Sequence, residues 1–129
     1  MAEAGIRDVP FSHLQRRLLV GGRVPLQGTL ETTYRCNLAC AHCYVNQPAG
    51  SAEERAREIP TERLLDLVDE FVQEGCLELL LTGGEVLVRA DFPRVYLHAL
   101  SRGLLVTIFT NGTLITDRIA DLQIGRAHV

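Results

Sequence analysis

Two nearly continuous apolar runs of strand length constrain the fold of this chain more than any other feature of its sequence. They are CLELLLT at residues 76–82 and LLVTIFT at residues 104–110. Runs of this kind are typical of parallel sheets, whose strands are buried on both faces. A third run, GTLETTY at residues 28–34, has the β-branched and aromatic content of a strand. We therefore predict three strands, with the second and third buried on both faces.

Segments with the residue pattern of helices alternate with these strands. TERLLDLVDEFVQEG (61–75) is predicted to form an amphipathic helix with Thr61 as its N-cap. Five of its apolar residues fall on one face: Leu64, Leu67, Val68, Phe71 and Val72. FPRVYLHALSR (92–102) is a second predicted helix capped by Asp91, and Thr116 is predicted to cap a third. Crossovers of this length connect parallel strands and are right-handed almost without exception, so the predicted fold class is α/β.

The two ends of the chain are set apart from this α/β region, which we place at residues 26–123. Residues 1–25 are predicted to form an N-terminal helical arm, with one short helix in FSHLQRRLLV. The last six residues, IGRAHV (124–129), resemble the translation of a common sequencing adapter, and we expect them not to belong to the natural protein. Between the first strand and the first of these helices, residues 44–60 are polar and include the charge run EERARE (53–58), which favours a solvated loop with one helical turn.

The charge and hydropathy of the chain exclude several classes of partner. The formal net charge is −3, which argues against nucleic acid or an acidic membrane surface as the main partner. No apolar run approaches the roughly 20 residues that span a bilayer, and the N-terminal sequence does not have the pattern of a signal peptide. We therefore expect a cytoplasmic location, with neither a membrane nor a nucleic acid as partner.

Three of the four cysteines lie within one short segment, TYRCNLACAHCYVN (33–46). They are Cys36, Cys40 and Cys43, and they follow the first predicted strand. In a reducing compartment, clustered cysteines more often bind metal or perform redox chemistry than form structural disulfides. Three thiolates can ligate three irons of a 4Fe-4S cluster and leave the fourth iron open to a small molecule. The remaining cysteine, Cys76, belongs to an apolar strand and is predicted to be an inert core residue.

The other two predicted strands also end in unusual loops, Thr82-Gly83-Gly84-Glu85 and Asn111-Gly112. The loops at the carboxyl ends of parallel strands lie on one side of a sheet, so we expect all three loops to meet. Glycines at 83 and 84 allow a ligand to approach the backbone, and Glu85 can receive a cation such as an ammonium group. Taken alone, each of these two loops is more typical of a simple turn.

Two other classes of protein remain open on the residues alone. Cys40-Ala-His-Cys43 after a strand could be a dithiol redox motif, although Cys36 and the Gly-Gly-Glu turn would then be unexplained. A structural zinc module needs four ligands, and the adjacent His42 and Cys43 are poorly placed to bind the same ion.

Taken together, the three loops resemble the radical S-adenosylmethionine (SAM) superfamily. The resemblance covers about residues 26 to 122 and rests on C-x-x-x-C-x-x-C, on TGGE, and on FTNGTLIT at residues 109–116. More narrowly, the motifs are similar to those of members with a cysteine-rich SPASM extension, many of which modify ribosomally made peptides or mature proteins. The resemblance implies a partial (β/α)6 barrel, of which residues 26–123 supply the first three β/α units, making this the first half of the barrel and a fragment that is inactive alone.

The resemblance also implies the roles of individual residues. Cys36, Cys40 and Cys43 would bind the 4Fe-4S cluster, while Gly83, Gly84 and Glu85 would border the methionine amino group of SAM; no catalytic side chain is assigned. A flavodoxin or ferredoxin type of electron donor would drive cleavage of SAM to methionine and a 5'-deoxyadenosyl radical. This radical would abstract hydrogen from a precursor peptide or protein, or from an intermediate of cofactor maturation. Val86 stands where the family often has proline.

Overall fold

The computed structural model describes residues 24–45 and 47–124 of the chain. The predicted helical arm falls outside these ranges except for residues 24 and 25, and residues 125–129 of the predicted non-native tail also lie outside them. The described elements, in chain order, are β1 (Gln27–Glu31), β2 (Arg35–Cys36), β3 (Gln47–Pro48), α1 (Ala52–Arg57), α2 (Thr61–Gln73), β4 (Glu78–Thr82), a 3-10 helix (Val86–Val88), α3 (Phe92–Ser101), β5 (Leu105–Ile108) and α4 (Asp117–Ile124).

Three parallel strands form the main sheet, in the spatial order β1-β4-β5. Gln27 pairs with Glu78, and Glu78 pairs in turn with Leu105, so the three strands start in register. Helix α2 connects β1 to β4 and α3 connects β4 to β5. The prediction of an α/β fold with parallel strands is therefore confirmed. The first strand is shorter than the predicted 28–34 segment, and the short strands β2 and β3 pair with each other beyond it.

One face of this sheet carries the hydrophobic core. Leu79 and Leu81 of β4 are fully buried against α2 and α3, and Leu64 of α2 is fully buried with them. On the opposite face Leu105 remains 65% exposed, and Phe109, just after β5, remains 62% exposed. Burial of both strand faces, as predicted from the apolar runs, is therefore not found within the described residues, because the described helices cover one face.

The helix ends agree with the sequence patterns in part. Thr61 is not the N-cap of α2: Pro60 holds that position, and the Thr61 hydroxyl donates instead to the carboxylate of Asp91. Asp91 does stand at the N-cap of α3, although its side chain makes no capping hydrogen bond. The Thr116 hydroxyl accepts a hydrogen bond from the N–H of Ile119, as the predicted cap of α4 should. Within residues 24–45 and 47–124, none of the helices is long and apolar enough to cross a membrane.

Candidate functional site

The Gly-Gly-Glu turn after β4 packs directly against the segment that leads into the cysteine loop. The Gly84 N–H donates to the Thr33 carbonyl at 2.7 Å, and the Glu85 N–H donates to the Arg35 carbonyl at 2.9 Å. A Cβ atom at Gly83 would lie 2.3 Å from the Thr33 carbonyl oxygen, and one at Gly84 would lie 2.4 Å from the Arg35 carbonyl oxygen. Both glycines are therefore required for the close approach of two loops, whether or not a ligand also uses the space.

The side chain of Glu85 connects the second loop to the third. Its carboxylate is fully buried and accepts hydrogen bonds from the Leu87 N–H at 3.0 Å, the Thr110 hydroxyl at 2.8 Å and the Asn111 N–H at 2.7 Å. In the described part of the chain, no arginine or histidine forms an ion pair with it. The buried carboxylate is thus held by neutral donors, two of which belong to the loop after β5.

The side chain of Asn111 connects the third loop to the first. Its Nδ2 lies 3.0 Å from Asn37 Oδ1 and 3.8 Å from Cys36 Sγ. Asn37 Nδ2 donates in return to the Thr113 hydroxyl at 2.7 Å. The three loops predicted to meet therefore do meet, through backbone contacts between the first and second and through side chains elsewhere.

The cysteines divide into three on the loop and one in the core. Cys40 and Cys43 are exposed, Cys36 is half-buried, and all four cysteines are free thiols. The Cys43 N–H donates to the Cys40 carbonyl at 3.1 Å, which closes a turn between the second and third thiols. Cys76 is 5% exposed and packs in the core, as its apolar strand predicts.

The donor set fits a 4Fe-4S cluster better than it fits a single ion. Thiolates are the usual ligands of such clusters, and each binds a different iron, so the sulfur atoms stand farther apart than the ligands of one ion. Among the described residues, no three His, Cys, Asp or Glu side chains are grouped closely enough to hold one metal ion. This arrangement does not favour the zinc alternative. The loop offers three free thiols that can each bind a separate iron.

A buried ion network anchors the start of the cysteine loop. Arg35, which directly precedes the first loop cysteine, is 4% exposed, and its Nε lies 2.7 Å from Glu58 Oε1. Arg89 donates to the Thr32 carbonyl at 2.9 Å and pairs with Asp91 at 2.6 Å. Glu58 also lies 3.6 Å from Arg89, so one carboxylate links both arginines. The network holds the end of β1 against the segments that precede α2 and α3.

This network lowers the pKa values of both its carboxyl groups. Burial alone would raise the pKa of Glu58, but hydrogen bonds from Arg35 and Thr33 outweigh it, and the pKa lies below its ordinary value. The hydrogen bond from Arg89 is the main reason that the pKa of Asp91 is also lowered. Both groups are therefore held in their charged forms.

The sequence did not predict the network. The predicted helical turn in the charge run 53–58 is present as the short helix α1, which has no buried residue, but the last residue of the run, Glu58, turns inward to Arg35. The two residues are 23 positions apart, and no periodicity links them. An arginine immediately before the first cysteine was the one available signal.

A shallow cavity of about 420 Å³ lies at the carboxyl edge of the sheet, beside the second and third loops. The residues that line it are Thr82, Gly83, Gly84, Ile108, Phe109, Thr110 and Asn111. Gly83 and Gly84, two of the three predicted cofactor-binding residues, thus border open space. The third, Glu85, lies behind this surface and contacts it through Thr110 and Asn111.

The family model of the radical SAM superfamily matches residues 30–125, which is more than half of the chain. This chain belongs to the radical SAM superfamily, as its three loops predicted. The matched range includes each of the loops that the structure brings together.

Similar proteins include enzymes with different named products. Mycofactocin maturase MftC of Mycolicibacterium smegmatis is 33% identical over 111 residues, covering 86% of this chain and 27% of that protein. Fe-coproporphyrin III synthase of Methanosarcina barkeri is 38% identical over 99 residues, covering 75% of this chain and 24% of that protein. PqqA peptide cyclase of Granulibacter bethesdensis is 32% identical over 108 residues, covering 81% and 28%. The chain therefore spans about a quarter of the length of these relatives.

Proposed function

We propose that this protein is a radical SAM enzyme in which Cys36, Cys40 and Cys43 bind a 4Fe-4S cluster. The observation that carries the proposal is the contact between the cysteine loop and the Gly-Gly-Glu turn, formed by two backbone hydrogen bonds at the carboxyl edge of a parallel sheet. This edge is where α/β proteins bind ligands. Gly83, Gly84 and Glu85 then border the methionine amino group of SAM.

The residues at this edge suit such a role. When bound, the cluster and SAM supply a 5'-deoxyadenosyl radical that abstracts hydrogen from the substrate. The cavity of about 420 Å³ offers room beside the two half-buried glycines, which carry no side chain to keep a cofactor away from the backbone. The carboxylate of Glu85 is fully buried and forms no ion pair with a cationic side chain in the described residues, so it can receive a positively charged ammonium group nearby.

Within the α/β class, we propose that the specific architecture is a partial (β/α)6 barrel. Its support is the consecutive order of three parallel strands with helices between them. Within the described residues β5 pairs with β4 alone, and Leu105 and Phe109 expose large apolar side chains on the uncovered face. Further strands beside β5 would pair its free edge, and curvature of the sheet into a barrel would enclose these side chains.

A precursor peptide or protein is the substrate class that we propose first. It is supported by similarity to PqqA peptide cyclase and by the resemblance of the motifs to SPASM-type members. Cofactor maturation on a tetrapyrrole is the second candidate, because Fe-coproporphyrin III synthase is 38% identical over 99 residues. A flavodoxin or ferredoxin type of donor and a cytoplasmic location complete the proposal, since exposed thiols and a reducible cluster suit a reducing compartment.

Reductive cleavage of SAM tests the proposed activity. The protein expressed from its complete reading frame is reconstituted with iron and sulfide without oxygen, then reduced in the presence of SAM. We expect 5'-deoxyadenosine and methionine to form, and Cys40→Ala to abolish both products. A precursor peptide encoded beside the gene should raise the yield if the first substrate class is right, and an iron tetrapyrrole should do so if the second is right. A cluster-loaded protein that forms no 5'-deoxyadenosine would contradict the proposed activity.

A further inference from the structure

We infer that Asn111 is a positioning residue that donates an N–H···S hydrogen bond to the thiolate of Cys36 and thereby raises the reduction potential of the cluster bound there. This inference rests on the proposed function. It assigns a role to the Asn-Gly loop after β5, which the sequence alone marks as a common turn.

The geometry places the amide of Asn111 over the first cysteine of the loop. Asn111 Nδ2 lies 3.8 Å from Cys36 Sγ, within reach of a long hydrogen bond to sulfur, and 3.0 Å from Asn37 Oδ1. The Leu38 N–H donates to the same sulfur at 3.4 Å. Cys36 Sγ thus accepts from one backbone donor and one side-chain donor.

The orientation of the Asn111 amide is fixed by its other end. Oδ1 of Asn111 accepts from the Thr113 N–H at 3.0 Å and from the Thr113 hydroxyl at 2.7 Å, so the Nδ2 end must face the cysteine loop. The backbone N–H of Asn111 is held at 2.7 Å by the buried carboxylate of Glu85. These three hydrogen bonds hold both the backbone and the side chain of Asn111. The side-chain amide is therefore preorganised to donate, since little side-chain entropy remains to be lost.

The three loop cysteines differ in the hydrogen bonds that their sulfur atoms accept. Neither Cys40 nor Cys43 accepts a side-chain hydrogen bond at Sγ in the described part of the chain, and Cys43 Sγ instead donates to the Val45 carbonyl at 3.0 Å. Reduction adds negative charge to a cluster and its thiolates, and an N–H dipole aimed at a thiolate stabilises that added charge. Removing the donor should therefore make the cluster harder to reduce.

A redox titration of the reconstituted full-length protein, followed by electron paramagnetic resonance, tests the inference. At an applied potential equal to the wild-type midpoint, Asn111→Ala should lower the ratio of reduced to oxidised cluster about threefold to tenfold, where tenfold corresponds to about 59 mV for a one-electron couple. Iron and sulfide content should stay at the wild-type level, because all three thiolates remain.

Asn37→Ala is the matched control. It removes an amide from the same network, together with an acceptor that competes with Cys36 for Asn111 Nδ2. The ratio of reduced to oxidised cluster should therefore stay at the wild-type value or rise. An unchanged ratio in Asn111→Ala, or an equal fall in Asn37→Ala, would overturn the inference. A wild-type protein that assembles no cluster would overturn the proposed function instead, which keeps the two failures distinct.

Discussion

The buried carboxylate of Glu85 accepts a hydrogen bond from the backbone N–H of Asn111 at 2.7 Å, and this contact joins the loops that follow two neighbouring strands. The Thr110 hydroxyl donates to the same carboxylate at 2.8 Å, and this hydrogen bond strengthens the connection. A buried carboxylate that loses such a donor retains the desolvation cost without the compensating hydrogen bond. Glu85 therefore organises the carboxyl edge of the sheet.

Replacing Glu85 with glutamine should weaken SAM binding more than cluster assembly. Glutamine keeps one acceptor oxygen but turns an NH2 group toward a backbone or hydroxyl donor, and it removes the negative charge. A hydrogen bond to a charged group contributes roughly 1.5 to 3 kcal/mol, and the variant weakens the bonds that hold Thr110 and Asn111 at the cavity surface, so SAM affinity should fall about tenfold or more. Equilibrium binding of SAM to the reconstituted variant measures this, with iron content as the control. Wild-type affinity in the variant would remove Glu85 from the binding site.

Alanine at Gly84 should destabilise the protein, because its Cβ would lie 2.4 Å from the Arg35 carbonyl oxygen. Overpacking of this kind costs typically about 1–3 kcal/mol, and here the neighbour is backbone that cannot rotate away. Thermal unfolding midpoints compare this variant with Gly50→Ala, whose Cβ would meet no atom within 4 Å. Equal midpoints for the two variants would show that the close approach of the loops is dispensable.

Stability should fall in acid as the carboxylates of the ion network are protonated. The folded-state pKa of Glu58 lies below its ordinary value of 4.5, and that of Asp91 lies below its ordinary value of 3.8. A carboxyl group whose pKa is lowered by folding stabilises the protein above its unfolded pKa, and this contribution is lost as the pH falls through the folded pKa.

The loss of stability is therefore expected below about pH 4.5. Urea unfolding at a series of pH values measures the free energy of unfolding across this range. Glu58→Gln should be less stable at neutral pH and should show a shallower decline in acid. Glu53→Gln is the control, because Glu53 is 72% exposed and pairs with an exposed arginine. Parallel declines for wild type and Glu58→Gln would exclude Glu58 as the source of the acid sensitivity.

The sequence predicted the fold class and the meeting of the loops, because both follow from local patterns. The parallel strands β4 and β5 were visible as apolar runs, and a loop at the end of each strand must lie on one edge of the sheet. The Arg35–Glu58 pair was not predictable in the same way, since it joins residues 23 positions apart. The exposed face of β5 also escaped prediction, because an apolar run does not say what covers each face. The contact of Asn111 with Cys36 depends on the register of two loops, which composition does not encode.

Cluster assembly tests the central claim most directly. The full-length protein and four single cysteine-to-alanine variants are reconstituted without oxygen, and iron, acid-labile sulfide and the visible spectrum are measured. We expect Cys36→Ala, Cys40→Ala and Cys43→Ala to lose the cluster. Cys76→Ala should retain it, because Cys76 is buried in the core away from the loop. Damage from Cys76→Ala equal to that of the other three, or iron without sulfide in the wild type, would contradict the assignment.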